Sequence, residues 1–139
     1  MGTPSGFDLS TAATRAAKED EGQELHVRDV DGQPYTNPAF TIRVAGTYSR
    51  VYRDTVNVQR DHLLRQRRTQ LTGEALSRQQ LDLTAACILS WEGLTDNGAP
   101  VPYTRENAVR LLTAAPWIRE QVEEAMADHA GFFGSSSPS

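Results

Sequence analysis

The sequence predicts an α+β fold: a small N-terminal antiparallel β-sheet packed on a mainly α-helical C-terminal portion. Two patterns carry this expectation. Between Glu24 and Val44 apolar residues alternate with polar ones, as in Leu25-His26-Val27 and in Phe40, Ile42 and Val44 around Thr41 and Arg43. A period of two places alternate side chains on opposite faces of a half-buried strand. From Ser49 onward the spacing becomes helical, with Tyr52, Val56, Gln59 and Leu63 on one side and a later stripe at Ile118, Val122, Ala125, Met126 and His129.

Element by element, residues 1–23 read as a flexible lead-in rich in Gly, Ser, Thr and Ala. Thr11 to Ala17 has helix-forming alanines, but so short a helix is marginal in water, and the segment is expected to be disordered. A single domain is expected over residues 24–133 and a disordered tail over 134–139. Val30 falls out of phase with Leu25 and Val27, so the first strand is short or bulged. Asp31-Gly32 and two prolines in DGQPYTNP then turn the chain.

Gly46 ends the second strand, and a helix is expected from Ser49 to about Gln70, with Val51, Thr55 and His62 joining its apolar side. Its β-branched valines and the alternation in Val56-Asn57-Val58 make continuation of the sheet a competitor. Ser77 and Gln80 form a capping box, and Leu81, Ala85, Ile88 and Trp91 recur on one face, predicting a helix over 78–90 closed by Gly93. Thr104 is a good N-cap, with Glu106 in the first turn, for a helix carrying Ala108, Leu111, Leu112 and Ala115. Pro116 suits the first turn of the last helix, which Gly131 is expected to stop.

At 139 residues the chain suits one domain. Its 38% hydrophobic and 23% charged residues argue for a folded rather than a disordered chain. A net charge of −4 speaks against a protein that wraps nucleic acid, because neutralising phosphates dominates that affinity. Lys18 is the only lysine, an arginine bias that fits a GC-rich genome. One cysteine, Cys87, allows neither an internal disulfide nor a multi-cysteine zinc site. Without an apolar run of about 20 residues or a signal-peptide pattern, a cytoplasmic location is expected.

Chemistry-bearing groups are sparse. His26, His62 and His129 lack ligand spacing, so no metal or other cofactor is expected. Asp82, Glu120, Glu123, Glu124 and Asp128 fit the solvated faces of helices better than a carboxylate pair. Ser49 and Ser90 lack a nucleophile-elbow context, and the dispersed glycines form no phosphate loop. No enzyme is therefore expected. Cys87 reads as a small core residue. Arg60, Arg65, Arg67 and Arg68 form one basic cluster, without interleaved aromatics, that reads as a solvated helix end.

Between the middle helices the chain is stiff: Gly93 breaks the helix, Asp96-Asn97-Gly98 turns, and Pro100 and Pro102 hold it extended before Thr104. This order, with Trp91-x-Gly93-Leu94, Asp96-x-Gly98, Pro100-x-Pro102-Tyr103-Thr104, Glu106-Asn107 and Leu111-Leu112, resembles the C-terminal half of tail assembly chaperones of long-tailed (siphovirus-type) bacteriophages. Gly46-Thr47-Tyr48-Ser49 leading into Tyr52-Arg53 adds a second likeness, and together they span about Glu24 to Phe133.

The resemblance implies a factor that binds the tape measure protein and keeps it soluble in the host cytoplasm until tube subunits polymerise around it. Such a factor is absent from the mature virion. The family often also makes a longer product by ribosomal frameshifting, through which the tail tube protein becomes a further partner. Codons for Phe132-Phe133 are a place for such slippage, with packing of the last helix as the simpler role. Self-association is expected, since shielding a long helix takes many copies. Tyr48, Tyr52, Trp91, Pro100, Tyr103, Trp117 and Phe133 are the candidate partner-binding residues, although aromatics serve a core equally well. The alternative reading is a structural virion component, such as a tail completion or head-tail joining protein. A third is a small DNA-binding regulator using the arginine cluster.

Overall fold

The computed structural model describes residues 6–66 and 72–134. Three strands form an antiparallel sheet in the order β1 (Gln23–His26), β2 (Thr41–Val44) and β3 (Ile88–Glu92). The first two are those predicted from the alternation. Leu25 lies opposite Ile42, and Ile42 and Val44 are fully buried while Arg43 between them is exposed. Val27, just past β1, is also buried and donates its N–H to Phe40. Gln121 then brackets Arg28, accepting from its N–H and donating to its carbonyl at 2.8 Å each. Those bonds occupy backbone groups that a longer strand would need.

β3 is a correction. The helix predicted over 78–90 is instead α3 (Gly73–Ala86), whose N-cap is Thr72, accepting from the Ala75 N–H at 3.0 Å; Ser77 lies inside the helix. Cys87 ends α3, and Ile88 begins a strand. Val44 faces Ile88 and Arg43 faces Ser90, so Leu89 is an extra residue with no partner across the ladder. The bulge explains the misreading. It puts Ile88 and Trp91, three residues apart, in register with the in-facing Val44 and Ile42, so helical spacing and a bulged strand look alike in sequence.

The chain beyond Gly93 is therefore a hairpin leading into a helix, entered from a strand, and not a link between two helices. β4 (Thr95–Asp96) pairs with β5 (Ala99–Pro100) around Asn97 and Gly98, both at positive φ as a tight hairpin turn demands. Thr104 caps α4 (Arg105–Ala114) as expected, accepting from the Asn107 N–H at 3.0 Å. Pro116 opens α5 (Pro116–Ala127), whose Ile118, Val122 and Met126 pack over β1 and β2. The chain breaks at Asp128, so His129 begins α6 (His129–Gly134), and Gly131 lies within that helix.

α2 (Arg50–Arg65) is helical, not a continued sheet, with the Ser49 hydroxyl accepting from the Tyr52 N–H. The predicted extension to Gln70, with Arg67 and Arg68, falls outside the described residues from 67 onward, as do residues 1–5 and the tail from 135. The lead-in differs from expectation: Leu9–Glu21 form a helix, α1, capped by Asp8. Packing supplies what its length could not, since α1 lies against α6 and buries Glu19.

Candidate functional site

α2 shapes the surface around it. None of its residues is fully buried; Tyr52, Thr55, Val56, Gln59 and Leu63 form a half-buried stripe, held to α3 in part by Gln59 donating to the Gln79 carbonyl. A groove runs along each flank of that stripe.

The larger groove, about 770 Å³, has Val51, Thr55, Val58 and Leu89 as its less polar lining and Asp20, Arg50, Asp54 and Arg105 around them. Val58 is 67% exposed although apolar. The β3 bulge contributes directly, because the unpaired Leu89 is the strand residue that reaches this surface. Asp20 fixes the near end, its carboxylate accepting from the Arg50 N–H at 2.6 Å. The smaller groove, about 350 Å³, lies along the other flank beside Tyr48, Tyr52, Arg53, Asn57 and Arg60.

A polar cluster anchors the start of α2. Glu19 is 3% exposed. Its Oε1 accepts from the Tyr48 N–H at 2.9 Å, and its Oε2 lies 2.6 Å from His129 Nδ1. With the carboxylate as acceptor, Nδ1–H is the donor, and Nε2 faces Thr47 Oγ1 at 3.4 Å. The order carboxylate, imidazole, hydroxyl is that of a nucleophilic triad, but the local backbone argues for a latch. The N–H groups of Gly46, Thr47 and Tyr48 already donate to the Glu19 carbonyl, the Met126 carbonyl and the Glu19 carboxylate, leaving none of them to stabilise an oxyanion at Thr47. Tyr48 also covers His129, their rings stacked at 3.9 Å.

The seven candidate contact residues do not converge on one surface. Tyr48 and Tyr52 share the smaller groove. Trp91 and Tyr103 meet edge to face at 5.1 Å, Trp91 donating to the Val101 carbonyl and Tyr103 to that of Ile88. Pro100 is exposed in β5. Trp117 donates to the Tyr35 hydroxyl at 3.0 Å, and Phe133 lies under the Arg15 guanidinium. Burial pushes the Tyr35 phenol up. It pushes the Cys87 thiol up to about 12. Among the described residues no three His, Cys, Asp or Glu side chains are grouped to hold a metal, and no helix is long and apolar enough to cross a membrane.

A family model described as YdaY prophage protein matches residues 47–133, more than half of the chain. The chain belongs to the YdaY prophage protein family. It is thus of phage origin. No curated protein and no solved structure matches. The YdaY segment begins at Thr47 and runs from α2 through α6. It holds every residue of both grooves except Asp20, while Glu19 and the first two strands precede it.

Sequence reasoning missed Glu19, Asp20 and Leu89. Nothing local marks the first two, since their partners lie far along the chain, and Leu89 acquires its place only through the bulge.

Proposed function

We propose that this phage-derived protein is a non-enzymatic tail assembly chaperone that binds the tape measure protein in the host cytoplasm and keeps it soluble. The observation that carries the reading is the larger groove. A partly apolar lining of Val51, Val58 and Leu89 with charged residues of both signs around it is suited to the apolar stripe and polar flanks of an amphipathic helix. Prophage family membership supports it, as does the retained order of the Asp96–Gly98 turn, Pro100-x-Pro102 and the Thr104 cap. Self-association and a tail-tube contact through a frameshifted product belong to the same reading.

The test is co-expression with the tape measure protein encoded in the same prophage. The soluble fraction of that protein should rise with the wild-type chain and fall back with Val58→Glu or Leu89→Glu. No rise with the wild-type chain would overturn the chaperone reading. Stoichiometric recovery of the chain in purified particles would favour a tail completion or head-tail joining component instead.

A further inference from the structure

We propose that the smaller groove, along the opposite flank of α2, binds single-stranded nucleic acid by stacking on Tyr48 and by phosphate contacts to Arg53 and Arg60. Tyr48 is 64% exposed, yet its ring is held in place: one face stacks on His129 with the planes 9° apart, and His129 is fixed in turn by the buried Glu19. A large aromatic ring that is both open and oriented loses little side-chain freedom when a base stacks on it. Tyr52, in the first turn of α2, lines the same groove.

The charges match a strand better than an isolated phosphate. Arg53 and Arg60 are exposed, and among the described residues neither guanidinium has a hydrogen-bond or ion-pair partner. Seven residues separate them, roughly 10 Å along the helix axis, so they reach different phosphates of one backbone. Asn57 lies between them with a donor and an acceptor for a base edge. A volume of about 350 Å³ is at the small end of ligand sites, enough for one nucleotide unit at a time. Two expectations from sequence opposed nucleic acid: the net negative charge and the absence of aromatics among the arginines. The second concerned the cluster Arg60, Arg65, Arg67 and Arg68, whereas the groove sets Arg60 with Arg53 beside Tyr48 and Tyr52. The acidic Asp54 lines the other groove, and the Glu19 carboxylate is satisfied within its own latch.

The experiment is fluorescence anisotropy of the full chain with a labelled oligothymidine of about 15 nucleotides, a length within single-strand site sizes, titrated first at low salt. With two phosphates neutralised, log affinity should fall with log salt at a slope of about −1.4. Arg53→Ala or Arg60→Ala should each remove about 0.7 of that slope. Tyr48→Ala should weaken binding about tenfold with the slope unchanged, while Tyr48→Phe, which keeps the ring, should bind as the wild type does. Circular dichroism confirms that each variant is folded. The proposal is overturned by absence of binding at low salt or by arginine variants that bind like the wild type. It is equally overturned by thymidine monophosphate, polyglutamate or duplex DNA competing as well as the strand. The two grooves share no lining residue, so Val58→Glu should leave oligothymidine binding intact whichever way the tape measure experiment ends.

Discussion

His129 Nδ1 meets Glu19 Oε2 at 2.6 Å across 110 positions of sequence, and through this contact α1 is fastened to the rest of the molecule. Apart from Glu19, α1 has only exposed or half-buried residues. Removing the carboxylate leaves the Tyr48 N–H without its acceptor and His129 Nδ1–H without a partner, at a cost of roughly 1–3 kcal/mol. Glu19→Ala should lower unfolding free energy by that amount and strip hydrogen-exchange protection from the α1 amides first. Unchanged protection across residues 12–21 would show that the contact does not hold the helix.

The hairpin after β3 is clamped from below by two aromatics. Tyr103→Phe deletes only the hydroxyl that donates to the Ile88 carbonyl and should cost about 1 kcal/mol. Trp91→Ala removes a half-buried indole and its bond to Val101, and roughly 3 kcal/mol is expected. Because the rings touch edge to face, Trp91→Ala combined with Tyr103→Ala should fall short of the sum of those two single variants by about 1 kcal/mol. Strict additivity in urea melts would mean that the two rings act independently.

Gly93 and Gly98 separate two reasons for a glycine. Both have positive φ. A Cβ on Gly98 meets nothing, so Gly98→Ala should cost only the backbone penalty, about 1 kcal/mol. A Cβ on Gly93 would run into the Ala39 carbonyl of the neighbouring chain segment, and backbone cannot step aside as a side chain can. Gly93→Ala should therefore cost at least about 3 kcal/mol and lower expression. Equal melting temperatures for the two variants would refute the close approach.

These glycines also show what was legible in the sequence. Asn97-Gly98 announces a turn locally, and so do the caps at Ser49 and Thr104 and the proline at the start of α5, because each acts on its own neighbours. The alternation around Ile42 gives two strands for the same reason. The third strand was hidden, since Ile88 and Trp91 satisfy helical spacing and only pairing with β2 decides between strand and helix. α1 was hidden because its stability comes from Glu19 meeting residues in the 46–48 turn and α6. The grooves inherit this division: Tyr48 and Tyr52 were readable as candidates, whereas Leu89 and Asp20 become groove residues only after folding.

Cys87 offers a chemical check on the core. It is fully buried at the end of α3, and the desolvation that lifts its pKa to about 12 favours the neutral thiol. At pH 8 a disulfide-exchange reagent should leave the native protein unmodified and label one thiol after denaturation. The folded pKa is raised above 9.0, so the associated stability is present below pH 9 and is lost as pH climbs toward 12. Tyr35, also raised, adds loss in the same direction above pH 10. A melting temperature that stays level or rises between pH 9 and 11 would contradict this burial.

The two-helix arm formed by α2 and α3 should open before the core does. Along α3 burial rises sharply: positions 73–80 are exposed or half-buried, while Leu83 through Ala86 are buried. α2 adds no fully buried residue, and Leu64 and Leu76 remain exposed. Local opening free energy follows buried apolar contact, so the distal arm has little to lose on opening. Hydrogen exchange should be fast over residues 60–66 and 73–78 and slow over 83–87. A helix-forming partner bound along Val51, Thr55 and Val58 should raise protection in α2 more than in α4 or α5, and protection spread evenly over the chain would place the partner elsewhere.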